Sequence, residues 1–398
     1  MKTIWSPGSY SGSQVLIDGV PPNGDQLFPA QLNELRQAVN NLEDFSNLTT
    51  DFGRQMLING NFDIWQNNVS FVNLTTGSYW ADKHKLAFDI GVGTLPSTIT
   101  ITKGTLVPDE LWGSNFYANF NFSDAGVIAA ASYYTFYNTV ILIPKYFHAG
   151  SNRYLTYSFM AKSDIPGKRV GTSLGMYYGW GGGSASVIGS TFTLTSTWTK
   201  YTTIFELPSL AGETWFDDVH LLVIPKVYLA WGSSVSSQCG AITEEDFGGS
   251  GNLQITQQDL SFTNGAIQFY PKSWQQEYQD CLYFLKKSYP YGIYAGAANE
   301  EGSIENTGAG GNCTIGDILS SKISHEMSMR VAAGSLPLVY DMAGAVGKVS
   351  ARNADGSLTN GITGTVDLAG PKGFRVYAVT TAVTQRGIVF HYVQNVDV

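Results

Sequence analysis

Over most of its length the chain places apolar residues at alternate positions, and at spacings of three and four in only two stretches. The first is residues 28–48, FPAQLNELRQAVNNLEDFSNL. There Phe28, Leu32, Leu35, Val39 and Leu42 recur at intervals of 4, 3, 4 and 3. That spacing is the a/d seam of a coiled-coil helix, and Pro29 suits a first helical turn. So short a helix is marginal in water when isolated. It either lies on the domain that follows or bundles with copies of itself. In the second case Leu32, Leu35, Val39 and Leu42 are the trimerisation seam of a homotrimer. Residues 1–26, rich in Gly, Pro and Ser without a period, read as an extended arm that a partner must order.

From about 55 to 270 the pattern is that of β-strands. NGNFDIWQ (59–66) reads as an Asn-Gly turn running into a strand, with Asp63 set among Phe62, Ile64 and Trp65. In YLTYSFM, Leu155, Tyr157 and Phe159 face one way, and Thr156, Ser158 and Met160 the other. In WTKYTTIFEL, Trp198, Tyr201, Ile204 and Leu207 slip phase once, which predicts a bulge. One apolar and one wet face is the mark of an antiparallel two-sheet sandwich. The second helical stretch is 274–288, with Trp274, Tyr278, Leu282 and Leu285 on one face and Lys286 and Lys287 in the last turn. Residues 289–398 return to strand-like runs joined by Asn/Gly turns at 353–357 and 359–364. No repeat of 20–50 residues occurs, which disfavours solenoids, propellers and regular β-helices.

Composition sharpens this picture. Charged residues make up 14% of the chain and aromatics 13%, whereas charged residues are roughly 25% of an ordinary soluble domain. The net charge of −9 and the lack of any Lys/Arg cluster argue against nucleic acid as a partner. Cys239, Cys281 and Cys313 fit neither a disulfide framework nor a CxxC metal site and read as small buried thiols. The first residues, MKTIWSPGSYSGS, lack the apolar core of a signal peptide. The longest apolar run (219–231) is broken by Pro225 and Lys226 and is too short for a bilayer. The expectation is a soluble protein made in the cytoplasm, with no membrane insertion.

Several fragments succeed one another in a telling order: INGNFDIWQ (58–66), YWADKHKL (79–86), YLTYSFMAKS (154–163), TSTWTKYTTIFELP (195–208), LQITQQDLSFTNGAIQFYP (253–271) and WQQEYQDCLYFLKKSY (274–289). This order, over about residues 55–398, resembles tailed-bacteriophage tail fibre and related virion spike proteins with a carbohydrate-binding-module-like jelly roll. The helix with Cys281 before Tyr283 and Phe284 belongs to that likeness, as does the ending GIVFHYVQNVDV. ADKHKL stands where the family more usually has Asp-Arg-Trp, and MRVAAGSLP is looser than its Met-Arg-Ala-x-Pro. The resemblance implies an all-β chain, a jelly-roll β-sandwich plus a smaller C-terminal β-sandwich. Together with the leader, which the resemblance does not cover, the expected divisions of the chain are an attachment arm and short coiled-coil-like helix (1–50), the jelly roll (51–272), a linker helix (273–288) and the C-terminal β domain (289–398).

The candidate chemistry is sparse. In modules of this kind an acidic residue after the Asn-Gly turn can ligate a structural calcium, which makes Asp63 the metal candidate, with Asp82 or Asp217–Asp218 adding oxygens. The simpler reading of Asp63 is a turn-stabilising hydrogen bond to backbone amides. The acidic runs 213–218 and 243–249 suit paired glycosidase carboxylates only if folding sets their separation; otherwise they are solvated loops. His84, His148, His220, His325 and His391 are scattered singly. Sugars offer apolar CH faces, so Tyr177, Tyr178 and Trp180, beside the glycines of MYYGWGGG, are the glycan-binding candidates. The same rings read equally as core or subunit contacts. The expected function is adhesion by a non-enzymatic virion protein, a homotrimeric tail fibre. Its partners would be other virion proteins through the arm and a host cell-surface glycan. A head decoration fibre is the alternative, and a capsule-depolymerising spike a weaker one.

Overall fold

The computed structural model describes residues 56–138, 140–142, 153–178, 183–209, 221–265, 268–307, 318–324, 336–370, 372–379, 381–382 and 385–395. The expected arm and coiled-coil helix, with Leu32, Leu35, Val39 and Leu42, lie outside the described residues, as does Trp180.

The first sandwich is built from β1 (Ser70–Val72), β2 (His84–Asp89), β3 (Ile99–Thr105), β4 (Phe116–Phe122), β5 (Tyr133–Asn138) and β6 (Val140–Leu142). They are followed by β7 (Tyr154–Ser163), β8 (Arg169–Tyr177), β9 (Ser184–Thr193), β10 (Thr199–Glu206), β11 (Leu221–Trp231) and β12 (Gly251–Ser261). One sheet has the order β1-β3-β4-β12-β7-β10, and the other runs β2-β5-β11-β8-β9 with β6 on β11. Every pairing is antiparallel. The two inner faces enclose one core in which Trp80, Phe120, Phe136, Tyr157 and Phe159 are buried. This is the jelly-roll-like sandwich expected of the alternation.

Three local readings need correction. NGNFDIWQ enters no strand. Asn59 takes a left-handed φ of 59° and Phe62 one of 55°. The Asn59 side chain holds the segment instead, donating to the Ile64 and Asp82 carbonyls at 2.8 and 3.0 Å and accepting from the Ile64 amide at 2.9 Å. Gly60 is required by close approach, because a Cβ there would meet the Gln258 carbonyl oxygen at 2.2 Å. Second, β10 pairs with β7 in unbroken register from Thr199 to Glu206. Tyr201, Thr203 and Phe205 point inward while Ile204 is exposed. The slip in hydrophobicity is a polar residue in an inward position, where Thr203 meets Thr172 hydroxyl to hydroxyl at 2.8 Å. Bulges lie elsewhere, in β11 between Tyr228 and Ala230 and in β12 between Thr256 and Asp259. Third, Thr156 and Ser158 on β7 are buried although they face away from the core. The chain after β12 covers Thr156, whose hydroxyl donates to the Thr263 carbonyl at 2.6 Å.

The helix expected over 274–288 is shorter. α1 spans Trp274–Leu282, capped by Ser273, whose side chain accepts from the Gln276 amide. Leu285–Lys287 leaves the helix as β13 and pairs with the last strand, so Lys286 and Lys287 lie beyond the final turn. The buried face of α1 is Glu277 and Cys281, while Trp274 is exposed and stacks on Tyr278 at 5.0 Å. The C-terminal strands are β14 (Ile304–Thr307), β15 (Ile318–Ser324), β16 (Leu338–Tyr340), β17 (Lys348–Asn353), β18 (Leu358–Thr363), β19 (Thr365–Gly370), β20 (Gly373–Val379) and β21 (Gln385–Asn395). One sheet is β13-β21-β17-β18 with β14 and β16 also on β21; the other is β15-β20-β19. Their shared core of Val349, Ile388, Phe390, Phe374 and Val376 makes this the smaller β-sandwich.

Candidate functional site

Alternation along β4 buries Ala118, Phe120 and Phe122 and leaves Tyr117, Asn119 and Asn121 half-buried on the outer face. On β12, Leu253 and Ile255 point inward and Asn252 and Gln254 outward. Strand register aligns these side chains into rows. Asn121 stands opposite Thr100 and Asn252, while Asn119 stands opposite Thr102 and Gln254. The second row continues to Ser70 on β1 and Lys162 on β7. At about 4.8 Å per strand it spans roughly 20 Å.

The chemistry of this face is amides and hydroxyls, with the Lys162 charge at its end paired with Glu110 at 3.0 Å. Asn252 accepts from Asn119 and Asn121 at 3.2 and 3.0 Å and is anchored by Asp164, which takes its side-chain amide at 2.8 Å. Among the described residues the Thr100 and Thr102 hydroxyls and the Gln254 amide have no hydrogen-bond partner, so they are free for a ligand. At one end Trp198 meets Tyr117 edge to face at 5.6 Å, and the Lys162 ammonium lies 4.7 Å from the Trp198 ring centroid. Glu110 clamps both, accepting from Trp198 Nε1 at 2.8 Å and from Lys162 at 3.0 Å. Partial desolvation works against the Glu110 charge, but hydrogen bonds from Lys162, the Val107 amide and Trp198 outweigh it and hold the carboxyl below its usual range. Gly104 lets the Tyr117 ring lie on the sheet, since a Cβ there would strike the ring at 2.2 Å.

Of the residues expected to bind glycan, Tyr177 and Tyr178 point to opposite faces, and Trp180 lies outside the described residues. Tyr177 closes β8 on the outer face of the other sheet and is half-exposed. Tyr178 points the opposite way and is wholly buried in the core, with its amide donating to Gly183 at 2.9 Å. Strand alternation thus leaves Tyr178 no ring face for a ligand. Asp63 is buried, and burial raises its pKa against the lowering effects of Asn61 and Lys103. Its carboxylate accepts from the Asn61 side chain at 3.2 Å, not from backbone amides, and its carbonyl takes Lys103 at 2.7 Å. Asp82 has its own partner, Gln66, which donates from backbone and side chain at 2.8 and 2.6 Å. Among the described residues no three His, Cys, Asp or Glu side chains gather as a metal site. His84 is a core residue, its pKa pushed down to about 3 by burial, lying between Phe62 and Trp80. In the acidic run 243–249, Glu245 binds buried Lys168 at 3.2 Å and Arg169 at 2.6 Å, a structural clamp. The run 213–218 lies outside the described residues. The amide rows form across strands distant in sequence, and their local signal is Asn and Gln at alternate positions of FYANFNF and NLQIT.

No protein-family model matches the chain, and no curated protein does. Among solved structures, the enzymatically active domain of tailspike protein 4 of bacteriophage CBA120 is similar at 14% identity and a TM-score of 0.27. That match covers 46% of this chain and 19% of the tailspike, so the chain spans about a fifth of its length. A structure described as CBM4 matches at 16% identity and a TM-score of 0.29, over 52% of this chain and 98% of its own. A family 11 carbohydrate-binding module of a Clostridium thermocellum cellulosomal cellulase matches at 12% and 0.25, over 55% of this chain and all of the module.

Proposed function

We propose that the chain is a non-enzymatic structural protein of a bacteriophage particle, a tail fibre adhesin that binds a host surface glycan on the outer face of its first sheet. The observation that carries the reading is the row Thr102–Asn119–Gln254–Lys162 flanked by Tyr117 and Trp198. A flat, nearly uncharged surface with free amide and hydroxyl groups and an aromatic edge matches a sugar chain, which needs hydrogen bonds without counter-charge and rings for its CH faces. The order of segments over 55–398 supports the virion setting, and the a/d seam of residues 28–48 is what suggests the homotrimer and the attachment arm. The segment Gln55–Val398 is the part that would carry recognition.

The test is a printed glycan array probed with the full chain and with two variants, Thr102→Ala/Gln254→Ala and Trp198→Ala. Each variant should lose roughly tenfold or more in affinity for the bound glycan with little change in melting temperature, as expected for truncated contact residues. Unchanged array binding by both variants, or release of reducing ends from a bound polysaccharide, would reject the reading.

A further inference from the structure

The small sandwich carries a second recessed surface, remote in sequence from the amide rows. β18 ends at Thr363 and β19 begins at Thr365, so the chain passes from one sheet to the other at Gly364. That corner is tight, since a Cβ on Gly364 would meet the Val349 side chain at 2.7 Å. Two residues earlier the ladder is interrupted. Val349 pairs with Ile362 and Ala351 with Thr359, which leaves Asn360 and Gly361 opposite Ser350 alone. Gly361 has a φ of 82° there, and its amide is held by Asp341 at 2.8 Å, so the bulge is fixed.

Bulge and corner together frame a groove of about 510 Å³, within the range of small-molecule sites. Ile362 and Ala378 are its buried apolar lining. The Thr359, Thr363 and Thr381 hydroxyls accept from Asn353, Lys348 and Gln385 and keep their own protons to donate. Thr365 adds a hydroxyl, Asn360 accepts from Ser350 and keeps its NH2, and Tyr377 adds a half-buried ring. No lining side chain is an acid or a base other than the phenol of Tyr377. The Arg375 guanidinium, 5.7 Å from the Tyr377 ring centroid, is paired with Asp367 through bonds of 2.8 and 2.5 Å. The Lys348 ammonium reaches the rim, donating to the Thr363 hydroxyl at 3.1 Å, while the described lining residues themselves carry no charge.

We propose that this groove is a binding site for a neutral saccharide of one or two units, separate from the face on the large sandwich. The Tyr377 ring and the exposed Val379 side chain receive the CH face of a pyranose, and the threonine hydroxyls and the Asn360 side-chain NH2 receive its hydroxyls. The size limit follows from the groove volume, which holds a small ligand and not a long chain.

Saturation-transfer NMR on the full chain tests this with a panel of neutral glucose-, galactose- and N-acetylglucosamine-containing disaccharides, and with sialyllactose as the charged control. Transfer to at least one neutral sugar is expected, with none to sialyllactose beyond its neutral part. Thr365→Arg starts from an exposed position paired with Tyr377; it should place a guanidinium over the ring and weaken binding by about tenfold or more. Tyr377→Leu serves as the second variant should the first disturb folding. Thr102→Ala/Gln254→Ala on the large sandwich should leave groove binding unchanged, which separates this site from the proposed adhesin face. Absence of transfer to any neutral sugar, retention of binding by both groove variants, or a change in oligomeric state in Thr365→Arg without sugar binding overturns the proposal.

Discussion

In the large sandwich Trp80 touches rings on every side: Phe62 at 5.4 Å, Trp65 at 5.5 Å, Phe120 at 5.2 Å and Phe136 at 5.6 Å. In the small sandwich Val349, Ala351, Val376, Ala378 and Ile388 fill the same role, with Phe374 packed edge to face on Tyr392 at 4.9 Å. The two sandwiches also hold their carboxylates differently. Asp63, Asp82, Asp259 and Glu277 are buried in or against the large one, and burial raises all four pKa values. In the small one Asp355 is exposed and Asp367 half-exposed, both lowered, by Ser357 and by Arg375, while Asp341 is buried with its carboxylate on the Ala345 and Gly361 amides. Interlocked rings thus support broad sheets on which polar groups are arranged in rows and some acids are sealed beneath covering segments. A thin aliphatic core leaves Asp355 and Asp367 near water, buries Asp341 where backbone amides receive it, and has its recess at a strand crossing.

The contrast can be broken most severely at Trp80. Trp80→Ala should cost ~3–5 kcal/mol of stability, because the surrounding rings cannot collapse into so large a space. Urea unfolding followed by near-UV circular dichroism measures it, and a cost below about 1 kcal/mol would mean the ring cluster is loosely packed.

Acid sharpens the contrast next. Asp259 is pushed up to about 6 by burial, against a lowering by Lys200. The folded form then keeps a proton that the unfolded chain releases above its ordinary pKa of 3.8. Stability of the large sandwich therefore rises as pH falls from about 6 toward 4. Asp259→Asn should flatten that slope and raise stability at neutral pH by on the order of 2–3 kcal/mol. Lowered acids work the other way, so the small sandwich should lose stability only below the ordinary carboxylate range. Melting curves of both forms across pH 4 to 7 decide it; an unchanged slope in the variant would assign the effect to Asp63, Asp82 or Glu277.

The smallest effect is expected at Ile388, buried in the aliphatic core. Ile388→Val should cost ~0.5–1.5 kcal/mol. A loss as large as that of Trp80→Ala would erase the distinction drawn between the two cores.

Much of this architecture was legible in the alternation of apolar residues. Leu155, Tyr157 and Phe159 do face the core together. What could not be read was set by distant partners. Leu285–Lys287 fits a helix locally, yet its backbone groups are claimed by β21. Phe62 and Ile64 look like strand positions, yet Asn59 and Asp82 hold that segment by side-chain hydrogen bonds. The candidate surfaces were less visible still. Asn119 and Gln254 lie far apart in sequence and become a row only through the pairing of β4 with β12. The groove depends on a bulge at Asn360–Gly361, for which the Asn-Gly pair signalled only a turn.

The position of β21 sets an order of events during synthesis. This strand pairs with β13, β14, β16 and β17, so its sheet lacks its central member until Asn395 has left the ribosome. The large sandwich needs nothing beyond β12 to complete both of its sheets and can assemble while the later strands are still being translated. In the interval β13, β16 and β17 offer open edges to any neighbouring nascent chain. Crowded polysomes would therefore favour mispairing in the small sandwich over the large one, and a chain cut short before β21 would display a finished first sandwich followed by strands β13, β14 and β16 without their partner.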